Sequence, residues 1–434
     1  MTFAKYLIFF TCIILCGSAI AQSRQFPPGV RTVTIPAQSG VRSDILNNIA
    51  PLVEKSIAEG AYPGAVILAS HHGHIIYRGV FGNSRIQPDI APMHYDTIFD
   101  IASLTKVLVT APAVMQLVEK GKLELDAPVA KYWPAFGANG KSEITIRDLL
   151  THTSRLVADI TDPKHPTSNP SWHGEASALA QIAQLKLSNV PEHTFVYSDV
   201  NFIVLGYLVE IVSGQPLNKY AEDHIFKPLN MTSTFYLPDE SLRNRIAPTE
   251  IIEKQLRWGQ AHDASAYAMD GVAGDAGVFS DAGDLGIYAQ CMLNDGRLPH
   301  VADDTKKKKS GYLLGPLTIL KMTTPQSPLN SADIRGLGWD IDSIYSSRGE
   351  LFPIRSYGHT GWTGTSIWID PVTQTYLIIL TSRTHPTSPT NNALIHDRRV
   401  IADIVAASLT DVTTTAQGNT GLGELSRVYG KPLK

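Results

Sequence analysis

The amino-acid sequence predicts an α+β fold: an antiparallel sheet built from both chain ends, flanked by helices, with a helical region inserted between its halves. Three observations carry this expectation. Apolar runs of strand length, GAVILAS (64–70) and HIIYRGVFG (74–82), lie near the N-terminus. Strand-like runs return from residue 336 onward: GLGWDID, SYGHTG, TSIWID and TYLIILTSR. Between them, from about 103 to 300, helical segments alternate with loops. No internal repeat divides the 434 residues, and the sheet is expected to draw on about 44–90 and 330–409.

Taken in order, residues 1–21 read as a secretory signal peptide. Lys5 precedes the apolar stretch YLIFFTCIILCGSAI, and Ala19-Ile20-Ala21 supplies a small-residue cleavage site. Export to the periplasm follows, with an uncleaved N-terminal anchor as the alternative; no stable membrane span is expected once the signal is removed. A polar leader (22–43) opens onto DILNNIAPLVEKSIAE (44–59), an amphipathic helix. His71, His72 and Gly73 separate the first two strands as a hairpin turn. VLVTAPAVMQLVEK (107–120) repeats apolar residues at three and four, as a buried helix does. Thr145 and Asp148 have capping-box spacing, Gly214 ends the helix VNFIVLGYLVEIVSG, and Asp281 and Gly296 bracket another. PVTQ (371–374) is a turn, ALIHDRRVIADIVAASL (393–409) a closing helix, and 410–434 a loose polar tail. The domain therefore spans 44–409.

Composition excludes several classes. Formal net charge is −3, and the KKKK run at 306–309 sits in a polar loop, so a nucleic-acid partner is not expected. Loss of residues 1–21 removes Cys12 and Cys16 and leaves Cys291 without a disulfide partner. His71, His72 and His74 crowd the hairpin without acidic or cysteine ligands at structural-site spacing, so neither metal nor cofactor is expected.

The chemistry begins at IASLTK (101–106). If Ser103 opens the following helix, Lys106 stands one turn away on the same face. A buried lysine beside a hydroxyl is costly unless it does chemistry, because burial favours the neutral amine, a base. In isolation the pattern is a weak signal and reads more readily as a capping serine and a solvated lysine. Tyr197-Ser198-Asp199 and His359-Thr360-Gly361 change that balance.

Ser-x-x-Lys, Tyr-x-Asn and Lys-Thr-Gly, in this order and at wide spacing, mark the serine β-lactamase and penicillin-binding-protein family, and the three motifs here resemble its class C-like branch. KLELDAPVAKYWPAF, ITIRDLLTHTS, VYSDVNFIVLGYLVEIVSGQPL, KPLNMTST and AYAMDGVAGDAGVFSDAGDL look like that family's connecting segments, so the resemblance covers about 44–409. YSDV and YGHTGWTGTSIWIDP are most similar to penicillin-binding proteins of the 4B type, D-alanyl-D-alanine carboxypeptidases, and to related esterases.

The resemblance implies a β-lactamase/transpeptidase-like fold and an acyl-enzyme on Ser103, with Lys106 and Tyr197 as the available bases and the choice between them open. It assigns the oxyanion hole to the backbone N–H groups of Ser103 and Trp362, and substrate contacts to Asp199, His359, Thr360, Gly361 and Trp362. The substrate is then a small molecule or a peptidoglycan peptide. A class C-like β-lactamase and a penicillin-binding sensor without turnover are the alternatives.

Two departures stand out. Asp199 occupies the place of an asparagine; its carboxylate would hold Lys106 charged and shift the base role toward Tyr197. His359 occupies the place of a lysine and is expected to be neutral at pH 7, gaining its proton toward pH 6. Both argue against rapid β-lactam turnover, as does the missing glutamate-bearing loop of class A enzymes. His152 is expected to be structural; a place for Arg383 and His385 on the pocket rim, against a substrate carboxylate, is the less favoured reading of those two.

Overall fold

The computed structural model describes residues 40–161, 169–299, 311–328, 331–388, 390 and 392–412. The expected signal peptide, most of the leader, the KKKK run and the tail beyond 412 lie outside the described residues.

An eight-stranded antiparallel sheet organises the molecule. Its strands are β1 (Gly64–His71), β2 (His74–Arg85), β3 (Ala91–Pro92), β4 (Ile334–Arg335), β5 (Asp340–Asp342), β6 (Tyr357–Thr360), β7 (Ser366–Asp370) and β8 (Thr375–Thr381). They lie in the order β3-β2-β1-β8-β7-β6-β5-β4. The two chain ends meet where β1 pairs with β8, Ala65 opposite Thr381 and His71 opposite Thr375. Three of the expected C-terminal strands are joined by tight connections, and PVTQ turns the chain between β7 and β8. In the first hairpin His72 (φ 49°) and Gly73 (φ 76°) are the two turn residues. Positive φ at both central positions is what a two-residue turn matching strand twist requires.

Side chains alternate across this sheet and so divide two cores. Val66, Leu68, Ile367, Ile369, Ile378 and Leu380 face the helical region. Ala65, Ile67, Ala69, Trp368, Leu377 and Ile379 face the terminal helices α1 (Ile49–Ala58) and α6 (Asn392–Ser408). The expected single helix over 44–59 is broken: a short turn, Ser43–Leu46, precedes α1 with Asn47 and Asn48 between them.

The helical side contains α2 (Ala111–Glu119), α3 (Ile146–Leu150), α4 (Asp199–Ser213) and α5 (Ala282–Leu293). Their boundaries follow the capping chemistry. Thr145 and Asp148 exchange both bonds of a capping box, Gly214 ends α4 at φ 77°, and Asp281 accepts from the Asp284 N–H at 2.9 Å. The region is less purely helical than expected. Phe99–Asp100, Phe235–Tyr236 and Val278–Ser280 form a small second sheet beside the segment that carries Ser103. Among the described residues no single helix is long and apolar enough to cross a membrane.

Leu380 is fully buried opposite Val66, in the layer that carries the helical region. Leu380→Ala is expected to destabilise the protein by about 2–5 kcal/mol, read as a lower urea midpoint with an unchanged slope. A loss below about 1 kcal/mol would place this side chain outside a close-packed core.

Candidate active site

The segment that carries Ser103 is built by three constraints. Ala102 adopts φ 45°, uncommon for a residue with a Cβ, and its N–H is held by Asp100 Oδ1 at 2.8 Å. Leu104, Thr105 and Lys106 then bond back three residues, and a wide π-turn, Lys106–Thr110, precedes α2. Ser103 therefore does not open a regular α-helix, as the spacing suggested. Pro112 has no N–H to give the Leu108 carbonyl, which favours the wider turn. Thr110 Oγ1 donates to the Gly274 carbonyl, and Tyr288 donates to the Val107 carbonyl at 2.7 Å.

Ser103 and Lys106 do face each other. The Lys106 side chain is 0% exposed, and its Nζ donates to Ser103 Oγ and to the Asp275 carbonyl, each at 3.0 Å. Asp199 Oδ1 lies 2.6 Å from the same nitrogen. The Asp275 carbonyl reaches it because Gly274 packs against α4 so closely that a Cβ would collide with the Phe202 carbonyl oxygen. Burial by itself would push the Lys106 ammonium toward neutrality. The carboxylate of Asp199, in direct contact, more than reverses this and holds its pKa well above the usual lysine value.

Tyr197 immediately precedes the α4 cap, Ser198, and lines the same pocket as Ser103, which lies close enough to favour its phenolate form. Its ring stacks on His152 at 4.5 Å and meets Tyr345 nearly edge-on at 5.6 Å. Burial raises the Tyr197 pKa, and Asp199 adds to that; Lys106 and Ser103 oppose it without overcoming it. Asp199 thus biases both candidate bases toward their protonated forms. His152 is structural, as expected: its Nδ1 accepts the Ser198 N–H at 3.1 Å beneath the Tyr197 ring.

The third motif lies across the same cavity. Ser103, Tyr197, Asp199, His359, Thr360, Gly361 and Trp362 all line a pocket of about 450 Å³. Gly361 brings β6 against the Ser103 segment; a Cβ there would collide with Thr365 Oγ1 and the Ile101 carbonyl oxygen. Thr363 and Thr365 complete the clamp, donating to the Asp100 and Ile101 carbonyls at 2.7 and 3.1 Å. His359 donates Nδ1–H to the Thr360 carbonyl at 2.9 Å, so Nε2 of the neutral ring is an acceptor. Burial, with Arg335 and Lys106 nearby, pushes its pKa well below 6.5. The expected gain of a proton toward pH 6 is therefore corrected: His359 stays neutral there.

Sequence reasoning missed the pocket's charged walls. Arg335 lines it from β4, buried, giving one N–H to the Gly338 carbonyl at 3.0 Å and standing 3.7 Å from Asp340. Arg398 enters from α6 and donates to the Thr365 carbonyl at 2.7 Å. Opposite, Asp159 and Asp263 approach Asp199, their ligand atoms within 4.8 Å of one another. Burial and the neighbouring Asp159 and Asp199 push Asp263 up to about 8. No local pattern marks these residues; they meet only through the fold. Arg383 and His385 do not line the pocket. The Arg383 guanidinium lies 4.6 Å from the Trp362 ring centre, and His385 accepts the Ile86 and Gln87 N–H groups.

The sheet flanked by helices is matched by known proteins. The β-lactamase family model fits residues 49–400. The chain belongs to the β-lactamase family. A protein of Escherichia coli K12 named "Putative D-alanyl-D-alanine carboxypeptidase" is 31% identical over 404 residues, covering 86% of this chain and 89% of its own. A Salmonella typhimurium LT2 protein of the same name is 30% identical over 434 residues, covering 91% and 95%. Among solved structures, EstCE1, "a hydrolase with promiscuous acyltransferase activity", superposes with a TM-score of 0.65 at 21% identity, over 84% of this chain and 99% of its own. A penicillin-binding-protein homologue from Caulobacter crescentus gives 0.65 at 19%, over 87% and 100%. These two likenesses establish the fold. This β-lactamase-family chain thus keeps its family's serine-hydrolase architecture while carrying Asp199 and His359 at two motif positions.

Gly361→Ala is expected to leave the melting temperature within a few degrees and to lower kcat/KM at least about tenfold, because the β6 wall must retreat from Ser103. Unchanged kcat/KM would show that the close approach has no part in aligning the site.

Proposed function

We propose that this chain is an exported serine hydrolase that forms an acyl-enzyme on Ser103 and releases D-alanine from D-alanyl-D-alanine peptides. The single observation behind this reading is the buried Lys106 ammonium, 3.0 Å from Ser103 Oγ and 2.6 Å from Asp199, two residues that line the pocket in front of it. The names of the relatives support the peptide class, and the N-terminal signal pattern supports export.

Of the two bases, Tyr197 is the one we assign. Lys106 is held charged by direct contact with a carboxylate, whereas Tyr197 is opposed mainly by burial and is assisted by Lys106. In the deprotonated minority form, Tyr197 takes the Ser103 proton and Oγ attacks the scissile carbonyl carbon. Lys106 remains an ammonium and stabilises the anionic oxygens around it. The Ser103 and Trp362 N–H groups receive the carbonyl oxygen. Tyr197 then returns its proton to the departing amine of D-alanine, and water releases the acyl group by the same steps in reverse. The positive wall of Arg335 suits the carboxylate of the leaving D-alanine, a charge that His359 does not provide.

Small-ester hydrolysis is the second reading. It is favoured by an apolar mouth in which Trp362 is 55%, Tyr345 49% and Ile395 40% exposed. A neutral His359 presenting a lone pair disfavours rapid β-lactam turnover. A sensor without turnover would acylate and stop.

Intact-mass spectrometry with a fluorescent penicillin, followed by D-alanine release from a D-alanyl-D-alanine peptide, tests the assignment. The parent is expected to carry one adduct on Ser103 and to turn over the peptide; Ser103→Ala should lose both while remaining folded. An adduct on another serine, or an active Ser103→Ala variant, would overturn it.

The electrostatics give a signed pH prediction. With Asp199 raising both Lys106 and Tyr197, activity should climb with pH through the alkaline range. Asp199→Asn removes that contribution, both groups fall, and the ascending limb should move toward neutral pH. Superimposable normalised profiles on a p-nitrophenyl ester, after subtraction of spontaneous hydrolysis, would show that Asp199 has no such role.

A further inference from the structure

A second cluster lies at the other end of the sheet from the pocket. His71 ends β1 opposite Thr375, whereas the pocket lies toward the Thr381 end of β8, about 20 Å away along the strand. Gly364, in the β6–β7 turn, packs against Thr381, which fixes that direction. His71 is buried, and its two ring nitrogens have different partners. Nδ1 lies 2.9 Å from Thr375 Oγ1, and the Thr375 hydroxyl already donates to the Thr373 carbonyl at 3.1 Å. The hydroxyl has one hydrogen, so His71 Nδ1–H must be the donor to it. In the neutral ring Nε2 therefore carries a lone pair. It points at Asp411 Oδ1, 2.9 Å away.

A lone pair and a carboxylate oxygen at that distance need a cation between them. One proton would do, giving an ordinary ion pair. The surroundings offer more than a proton requires. The His72 ring is 4.2 Å from that of His71, its Nε2 is 4.0 Å from the other Asp411 oxygen, and all three ligand atoms lie within 4.8 Å of one another. Two imidazoles and a carboxylate form a ligand set for zinc and its neighbours in the divalent series, with positions left for water. Histidine ligands characteristically give their second N–H to a neighbouring acceptor, as His71 does to Thr375. Asp411 is itself positioned. Thr410 donates to the Gly40 carbonyl at 2.9 Å, Val41 and Leu409 form a bridge, and Gly40 (φ 96°) leaves room where a Cβ would strike the Asp411 carboxylate.

We propose that His71, His72 and Asp411 bind a divalent transition-metal ion of the zinc type, which ties the segment following α6 to the first hairpin. Sequence reasoning rejected a metal at this hairpin for want of an acidic ligand. The fold supplies one from 339 positions further along the chain. The ion would be structural: it is remote from Ser103, and the described pocket does not require it.

Untagged full-length protein, stripped with EDTA and dialysed, should be titrated calorimetrically with zinc chloride, and its melting temperature followed with and without zinc. One ion per chain is expected, with a rise in melting temperature. His72→Asn creates an Asn-Gly turn, which suits the positive φ values and keeps the hairpin intact. It should melt no lower than the parent without zinc, yet bind zinc at least about tenfold more weakly. Asp411→Asn should weaken binding similarly, and hydrolysis by metal-free protein should match that of the parent in both variants. Absence of saturable binding at micromolar zinc, leaving a proton-only ion pair, would overturn the proposal. So would affinity equal to the parent's in both variants.

Discussion

The burial of one ammonium group sets the terms for the rest of the site. Removing a lysine charge from water costs several kcal/mol unless close partners replace its hydration. Lys106 has three such partners, and each comes from a different part of the chain: Ser103 from its own turn, Asp199 from the start of α4, and the Asp275 carbonyl from the segment leading into the small sheet. Much of the helical side can be understood as the means of holding those three in place. The π-turn, the Gly274 approach to α4 and the Ser198 cap each position one partner.

The large sheet supplies the opposing wall. Its antiparallel register carries β6 past the nucleophile segment, and the Thr363, Thr365 and Arg398 contacts pin the turn beyond it. A strand buried on both faces is poor at adapting and good at holding a distance, which suits a site whose reacting atoms must stay near contact. The same sheet separates the catalytic end from the end where both chain termini of the described region meet.

The pocket is electrostatically two-sided. Carboxylates gather around Lys106, while Arg335 and Arg398 lie on the wall near His359. Loss of the motif lysine therefore does not leave the cavity without cations; it moves permanent charge onto guanidinium groups held by backbone carbonyls. Arginine keeps its charge under burial far better than lysine, which makes it the more durable donor in so enclosed a place.

Local sequence determined the elements and the cluster of Ser103, Lys106 and Tyr197. Strand alternation, the Thr145 and Asp281 caps, Gly214 and the His72-Gly73 turn depend on interactions within a few residues, so they were legible from order and spacing. Ser103, Lys106, Tyr197 and His359 were legible because the family resemblance preserves their motifs. The tertiary structure alone decided the rest. Whether Lys106 and Tyr197 are protonated depends on burial and on the Asp199 carboxylate, brought from far along the chain where no spacing rule reaches. Arg335, Asp159 and Asp263 lie far from any motif, and Arg383 and His385, weighed as a pocket rim, brace neighbouring loops. His71 and Asp411 meet for the same reason: strand pairing between the two ends of the chain sets long-range distance, and a linear pattern carries no record of it.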